Sequence, residues 1–79
     1  MFRLIPASGH NNYAYTAVDA DGHAIATIFK VGPPNQDADA GKGAYRVRLS
    51  IAGSMNGKRF FVDSHDAISE KLKEVLSDS

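Results

Sequence analysis

Cysteine and tryptophan are absent from this chain of 79 residues, and proline occurs only three times. Without cysteine there is no disulfide, no cysteine-based zinc site and no thiol nucleophile, and a reducing compartment fits this composition. An excess of charge of one sign is also missing, since nine basic residues balance nine acidic ones. This balance argues against a protein whose affinity depends mainly on neutralising phosphates.

Long hydrophobic runs are missing as well. No apolar run approaches the roughly 20 residues of a membrane-spanning helix, and the first residues lack a basic region followed by an apolar stretch. We therefore expect a soluble, cytoplasmic protein. The length predicts a single domain, residues 1–79, which buries only about 60% of the unfolded chain's surface. We expect marginal stability unless a partner or self-association, for example a homodimer, contributes.

Residues 10–25 predict a β-hairpin. Asp21-Gly22 tolerates the positive φ angles of a two-residue type I′ turn and lies between runs rich in β-branched and aromatic residues. In this register Val18 faces Ile25 on the side expected to form the core, together with Thr16, Thr27, Ala14, Phe29 and Val31. The opposite side is expected to be accessible and to carry Tyr13, Tyr15, Ala17, Asp19, Ala24, Ala26, Ile28 and Lys30.

A second strong pattern follows a long loop, residues 32–43, that is rich in glycine and proline. Over residues 45–51 apolar side chains alternate with polar ones, which predicts a half-buried strand. Its outer side carries Arg46 and Arg48, which we expect to be exposed. Shorter strands are predicted at residues 2–5 and 58–62, beside turn-like segments at residues 8–11 and 53–57.

The C-terminal part predicts a helix that ends near residue 76. Asp63 or Ser64 can cap its first turn, and Asp66 adds negative charge at the positive end of the helix dipole. One stripe of the helix is apolar and consists of Ile68, Leu72, Val75 and Leu76. The predicted fold is α+β, an antiparallel sheet of four to five strands with one C-terminal helix packed on one face. The other face is left as a candidate recognition surface.

Residues with catalytic or metal-binding chemistry form no recognisable set. The histidines His10, His23 and His65 lack metal-ligand spacing. Two aspartate pairs, at residues 19 and 21 and at residues 37 and 39, lack the distal glutamate of a calcium loop. The segment 41–43 is too short for a phosphate loop, and the serines have no nucleophile context. We expect no enzyme, no metal and no cofactor, but a protein that acts by binding through a surface.

Part of the hairpin segment resembles the small phage anti-CRISPR proteins that inhibit the type I-F surveillance complex. The positions that carry the resemblance are His10, Asn12, Tyr13, Ala17, Val18, Gly22 and Ile25. The start of the helix, Asp63-Ser64-His65-Asp66-Ala67-Ile68, is similar to a capping segment of that family. The resemblance implies a phage protein, in the cytoplasm of the host bacterial cell, that binds the type I effector complex Cascade. In that family the inhibitor blocks pairing of guide RNA with target DNA.

The contact residues of that family do not transfer to this chain. The aligned positions hold Ile5, Asp19 and Lys30, the loop at residues 32–43 is longer, and the chain has one helix where the family has two. We therefore expect the same scaffold with a different target, type I-C being the first candidate. The predicted partner-binding residues are Tyr13, Tyr15, Asp19, Lys30, Arg46 and Arg48.

An alternative function follows from a second resemblance. Three antiparallel strands followed by a helix with an acidic cap are similar to integrase arm-binding and AP2-type DNA-binding domains. This resemblance implies that Arg46, Arg48, Lys58 and Arg59 contact phosphates and bases. The zero net charge counts against this alternative, so direct nucleic-acid binding ranks below a protein partner. Dimerisation through the uncovered sheet face is a third possibility.

Overall fold

Five strands and one helix make up the fold. The computed structural model describes residues 2–7, 13–51, 53 and 56–77. The predicted turn at residues 8–11, together with Asn12, Ser54 and Met55, lies outside the described residues. In chain order the elements are β1 (Phe2–Pro6), β2 (Tyr13–Asp19), β3 (Ala24–Lys30), β4 (Tyr45–Leu49), β5 (Arg59–Val62) and α1 (His65–Ser77). The strands form one antiparallel sheet in the order β1-β2-β3-β4-β5, which confirms the predicted α+β fold.

The helix α1 begins and packs as its sequence pattern predicts. Ser64 provides the cap, because its Oγ accepts a hydrogen bond from the backbone amide of Ala67 at 3.2 Å. Ile68, Leu72 and Val75 are buried against the sheet and form the core with residues from β2 to β5. Within the described residues, no helix has the length and apolar character that crossing a bilayer requires.

The turn between β2 and β3 has three loop residues, whereas the sequence predicts two. The amide of Asp19 donates to the His23 carbonyl at 3.0 Å, and the amide of Gly22 donates to the Asp19 carbonyl at 3.0 Å. Gly22 has a φ of 85°, the left-handed conformation that closes a three-residue loop after a type I turn. The Asp-Gly pair therefore marks the turn correctly but not its type.

The altered turn changes the pairing near the hairpin end only. Val18 pairs with Ala24, and a β-bulge then leaves Ile25 without a paired residue on β2. The predicted register returns over residues 15–17, where Thr16 pairs with Thr27. Val18 and Ile25 are both buried, as predicted, although they do not face each other.

The predicted orientation of the hairpin relative to the helix is wrong. Ala17, Ala26 and Ile28 were expected on the accessible side, yet each has 0% exposure. Strand β4 explains this result, because Ile28 pairs with Val47 and Ala26 pairs with Leu49, on the side that α1 covers. The other side of β4 carries arginines, which are rarely buried without partners. Thr16, Thr27 and Phe29, expected in the core, therefore lie on the uncovered side, which we call the open face.

Candidate functional site: an arginine cluster on the open face

Two rows of side chains cross the open face from β2 to β5. Residues that pair directly across antiparallel strands point to the same side of the sheet. One row consists of Tyr13, Phe29, Arg46 and Phe61, and the other consists of Thr16, Thr27, Arg48 and Arg59. The strand pairing therefore brings three arginines from two strands next to aromatic rings.

A shallow depression of about 480 Å³ lies between these rows, lined by Phe29, Arg46, Arg48, Gly57 and Arg59. Arg48 and Arg59 are exposed and lie directly opposite each other on β4 and β5. Neither makes an ion pair with any residue that the structure describes. Two uncompensated positive charges on one open surface are suited to binding an anion.

Arg46 differs from the other two arginines because it is already paired. Its guanidinium Nη1 lies 3.1 Å from Asp39 Oδ2 and 3.7 Å from Asp37 Oδ1. The guanidinium carbon also lies 5.3 Å from the centre of the Phe29 ring, in cation–π contact. Only 24% of the Arg46 side chain is exposed. The prediction of an exposed side chain therefore holds for Arg48 and not for Arg46.

The two carboxylates that hold Arg46 belong to the loop between β3 and β4, which we call the acidic loop (residues 31–44). The Asp37 carboxylate accepts hydrogen bonds from the backbone amides of Gly32 and Asp39, each at 2.9 Å. These hydrogen bonds lower the pKa of Asp37 from the ordinary value of 3.8. The pKa of Asp39 is lowered first by the hydrogen bond from Lys42 and then by the one from Arg46. The sequence predicts a solvated loop here, but both carboxylates are largely shielded by their partners.

The aromatic rings of the open face are also in contact with neighbouring side chains. The ring centres of Tyr13 and Phe29 lie 5.3 Å apart, and the Tyr13 hydroxyl shares a hydrogen bond with Thr16 Oγ1 at 2.7 Å. Lys42 Nζ lies 5.5 Å from the centre of the Phe61 ring. Phe29 and Phe61 are therefore each in contact with a cationic side chain, Arg46 and Lys42 respectively.

The structure brings together only part of the predicted partner-binding set. Tyr13, Arg46 and Arg48 lie on the open face. A bulge between Tyr13 and Tyr15 turns the second tyrosine to the helix side, where its ring packs edge-on against His65 at 5.1 Å. Because of the same bulge Tyr13, and not Ala14 as predicted, pairs with Phe29. The exposed Lys30 lies at the end of β3 opposite Tyr45, in the row that continues to the buried Val62.

Asp19, the remaining predicted residue, stabilises the β2–β3 turn. Its Oδ1 accepts the backbone amides of Asp21 and His23, both at 2.9 Å. The pKa of Asp19 is lowered mainly by the hydrogen bond from the His23 amide. Potential metal-ligand atoms of Asp19, Asp21 and His23 lie within 4.8 Å of one another. The hydrogen bonds from the two backbone amides to Asp19 explain why these three residues lie close together, and they match the predicted turn chemistry.

The residues that the sequence prediction missed are Phe29, assigned to the core, and the acidic pair Asp37 and Asp39, assigned to solvent. The sequence indicates a role for Arg59 only in the DNA-binding alternative. The turn Asn56-Gly57 signals that β4 and β5 form a hairpin, and pairing across it places Arg59 beside Arg48. No comparable signal exists for the acidic pair, because its position depends on how a long loop folds. Comparison of the chain with protein-family models, curated proteins and solved structures finds no match.

Proposed function

We propose that this protein is a non-catalytic binding module whose open face binds nucleic acid, with Arg48 and Arg59 as its central contacts. One observation carries the proposal: these two exposed arginines lie opposite each other without an acidic partner among the described residues. Like charges placed directly across a sheet lower its stability. A bound anion between the two guanidinium groups would remove that cost.

The size and chemistry of the face favour a DNA duplex. Arginine binds phosphate with two parallel hydrogen bonds and pairs in the same way with the major-groove edge of guanine. Arg48 and Arg59 lie on β4 and β5, which form a two-stranded ribbon at one edge of the sheet. A major groove about 12 Å wide admits such a ribbon. The open face therefore has both the residues and the dimensions for duplex contact.

The aromatic rings favour a duplex over a single strand. Proteins that bind single strands stack bases on free aromatic ring faces. Here Arg46 and Tyr13 lie against Phe29, and Lys42 lies over Phe61. Phe29 and Phe61 are thus half-buried and already in contact with other side chains, whereas Arg48 and Arg59 are exposed to a duplex backbone.

A net charge of zero is compatible with this proposal because part of the negative charge lies far from Arg48 and Arg59. The helix α1 carries exposed carboxylates, among them Asp66, Glu70 and Glu74, on the side away from the open face. Charges separated by more than about 8 Å are largely screened at physiological salt. The arginine cluster therefore acts as a local positive field, and we expect weak, salt-sensitive binding.

Fluorescence anisotropy with a labelled 20-base-pair duplex tests this function. We expect the double variant Arg48→Ala, Arg59→Ala to bind at least about tenfold more weakly and to lower the salt slope of log K by about two. The variant Lys30→Ala, Lys73→Ala removes the same charge from exposed positions outside the arginine cluster and is expected to bind nearly as the native chain does. Equal losses in the two double variants would contradict the proposal.

A second candidate function is inhibition of a type I CRISPR–Cas complex, in the bacterial cytoplasm, through protein–protein contact. It is favoured by the resemblance of the hairpin segment and by the mixed chemistry of the open face. Ile5, 41% exposed, pairs with Thr16 on this face, near Tyr13. Apolar, aromatic and arginine side chains that share one surface are typical of protein interfaces, and Ile5, Tyr13 and Arg48 share this face. In this function Tyr13, Arg46 and Arg48 form the patch, without Tyr15, Asp19 and Lys30.

Gel-shift assays with purified type I Cascade complexes test the second function. An inhibitor is expected to form a stable complex with Cascade and to abolish binding of target DNA, and Tyr13→Ala is expected to weaken that complex. Tyr15→Ala, on the helix side of the sheet, measures any indirect effect of removing a tyrosine. Normal R-loop formation at saturating protein would contradict inhibition.

A further inference from the structure

The arginine cluster consists of Arg46, Arg48 and Arg59. Of these three, Arg46 is ion-paired with two carboxylates of the acidic loop. Arg46 is two residues from Arg48 on β4, on the same face, and lines the same depression. Its guanidinium nevertheless contacts Asp39 at 3.1 Å and Asp37 at 3.7 Å. Carboxylate oxygens thus occupy a place on this arginine that a ligand phosphate would take.

We propose that Asp39 is an internal competitor of the ligand: it holds Arg46 away from phosphate and so limits the affinity of the open face. The inference rests on the proposed nucleic-acid function and adds its regulation. Arg48 and Arg59 then form the permanent part of the binding site. Arg46 joins them only when a phosphate displaces the Asp39 carboxylate.

Asp37 and Asp39 have different roles because they contact different groups. Asp37 is anchored by the backbone amides of Gly32 and Asp39, which fix the shape of the acidic loop. In contrast, the side-chain contacts of Asp39 reach only other side chains, Lys42 at 3.2 Å and Arg46 at 3.1 Å. Loss of the Asp39 contact therefore breaks none of the hydrogen bonds within the loop and leaves Arg46 only the longer contact with Asp37 at 3.7 Å.

The position of Arg46 after release is also favourable for binding. The Phe29 ring lies 5.3 Å from its guanidinium carbon, and Asp39 takes no part in this contact. A stacked guanidinium keeps its N–H groups available at its edges. The freed Arg46 would thus stay beside the depression, close to Arg48, where it can bind the same ligand.

A double-mutant cycle on Asp39 and Arg46 tests the inference, with the labelled duplex as probe. We expect Asp39→Asn to raise affinity about three- to tenfold and to increase the salt slope by about one, the value of one added phosphate contact. Arg46→Ala in the native background is expected to change affinity less than twofold. In the combined variant the gain from Asp39→Asn is expected to vanish.

The cycle separates competition from a general charge effect. If the gain persists in the Arg46→Ala background, or if Asp39→Asn brings no gain, the inference is wrong. Glu70→Gln removes a negative charge from the exposed side of α1 and is expected to leave affinity unchanged. If the native chain binds the duplex through Arg48 and Arg59 but the cycle shows no coupling, only the inference fails. If the native chain does not bind the duplex, the proposed function fails together with it.

Discussion

Arg48 and Arg59 lie directly opposite each other on β4 and β5, both exposed and on the same side of the sheet. Cross-strand neighbours of like charge repel, so this arrangement is unfavourable for the folded chain by itself. The next pair on the same face of these two strands, Arg46 with Phe61, has no such conflict, and Arg46 is neutralised by Asp37 and Asp39. The repulsion is therefore confined to the two residues that we assign to binding.

Arg59→Gln is expected to make the free protein more stable while weakening its binding. Removing one of two opposed positive charges should raise the free energy of unfolding by about 0.2 to 1 kcal/mol at low salt. At 1 M salt, where the Debye length is about 3 Å, the difference should disappear. Urea unfolding at both salt concentrations measures the effect. A variant that is less stable at low salt would show that Arg59 has a structural role instead.

The sequence predicts the elements of this fold well because each depends on local chemistry. The alternation on β4 separates the buried Val47 and Leu49 from the exposed Arg48, and Ser64 caps the helix as predicted. The orientation of the hairpin was not predictable in the same way. It follows from the pairing of Ile28 with Val47, and a long loop between β3 and β4 leaves that register unspecified.

The candidate site shows the same division between local and long-range information. Arg46 and Arg48 are visible as the outer side of an alternating strand, whereas the neutralisation of Arg46 is not. It requires one particular shape of the acidic loop, and that shape rests on hydrogen bonds within the loop, such as the one that the Gly32 amide donates to Asp37. A bulge that separates Tyr13 from Tyr15 likewise has no reliable signature in the sequence.

Ala26→Leu tests which side of the hairpin the helix covers. Ala26 has 0% exposure and pairs with Leu49 beneath α1, so a larger side chain has no space there. We expect a loss of about 1 to 3 kcal/mol in the free energy of unfolding. Thr27→Leu, one residue along on the open face, is the matched control and should cost much less. Chemical denaturation measures both, and equal losses would contradict the assignment of the two sides.

Stability should fall in acid because Asp37 is a better acceptor when it is charged. Its pKa in the folded chain lies below the ordinary value of 3.8, owing first to the hydrogen bond from the Gly32 amide. A depressed pKa stabilises the folded state above the unfolded value, and this contribution is lost as the pH falls through the folded value. We expect the free energy of unfolding to decline below about pH 4 and Asp37→Asn to make that decline shallower. Urea unfolding between pH 2 and about pH 6 measures it, and Glu70→Gln is the control.

Gly43 is expected to tolerate no side chain, because the end of the acidic loop lies against β5. A Cβ there would lie 3.0 Å from the Val62 carbonyl oxygen and 3.1 Å from Phe61 Cβ, and the carbonyl belongs to a paired strand that cannot easily move. Gly43→Ala should therefore lower the free energy of unfolding by about 1 to 3 kcal/mol.

Gly41 gives the comparison, since it has a φ of 91° and open space around it. Asparagine adopts a left-handed backbone conformation more readily than alanine. Gly41→Asn should therefore lower the stability less than Gly41→Ala, whereas Gly43→Asn should lower it more than Gly43→Ala. Thermal unfolding of the four variants measures this order. If asparagine lowers the stability less than alanine at both positions, then backbone conformation, not contact with β5, requires glycine at residue 43.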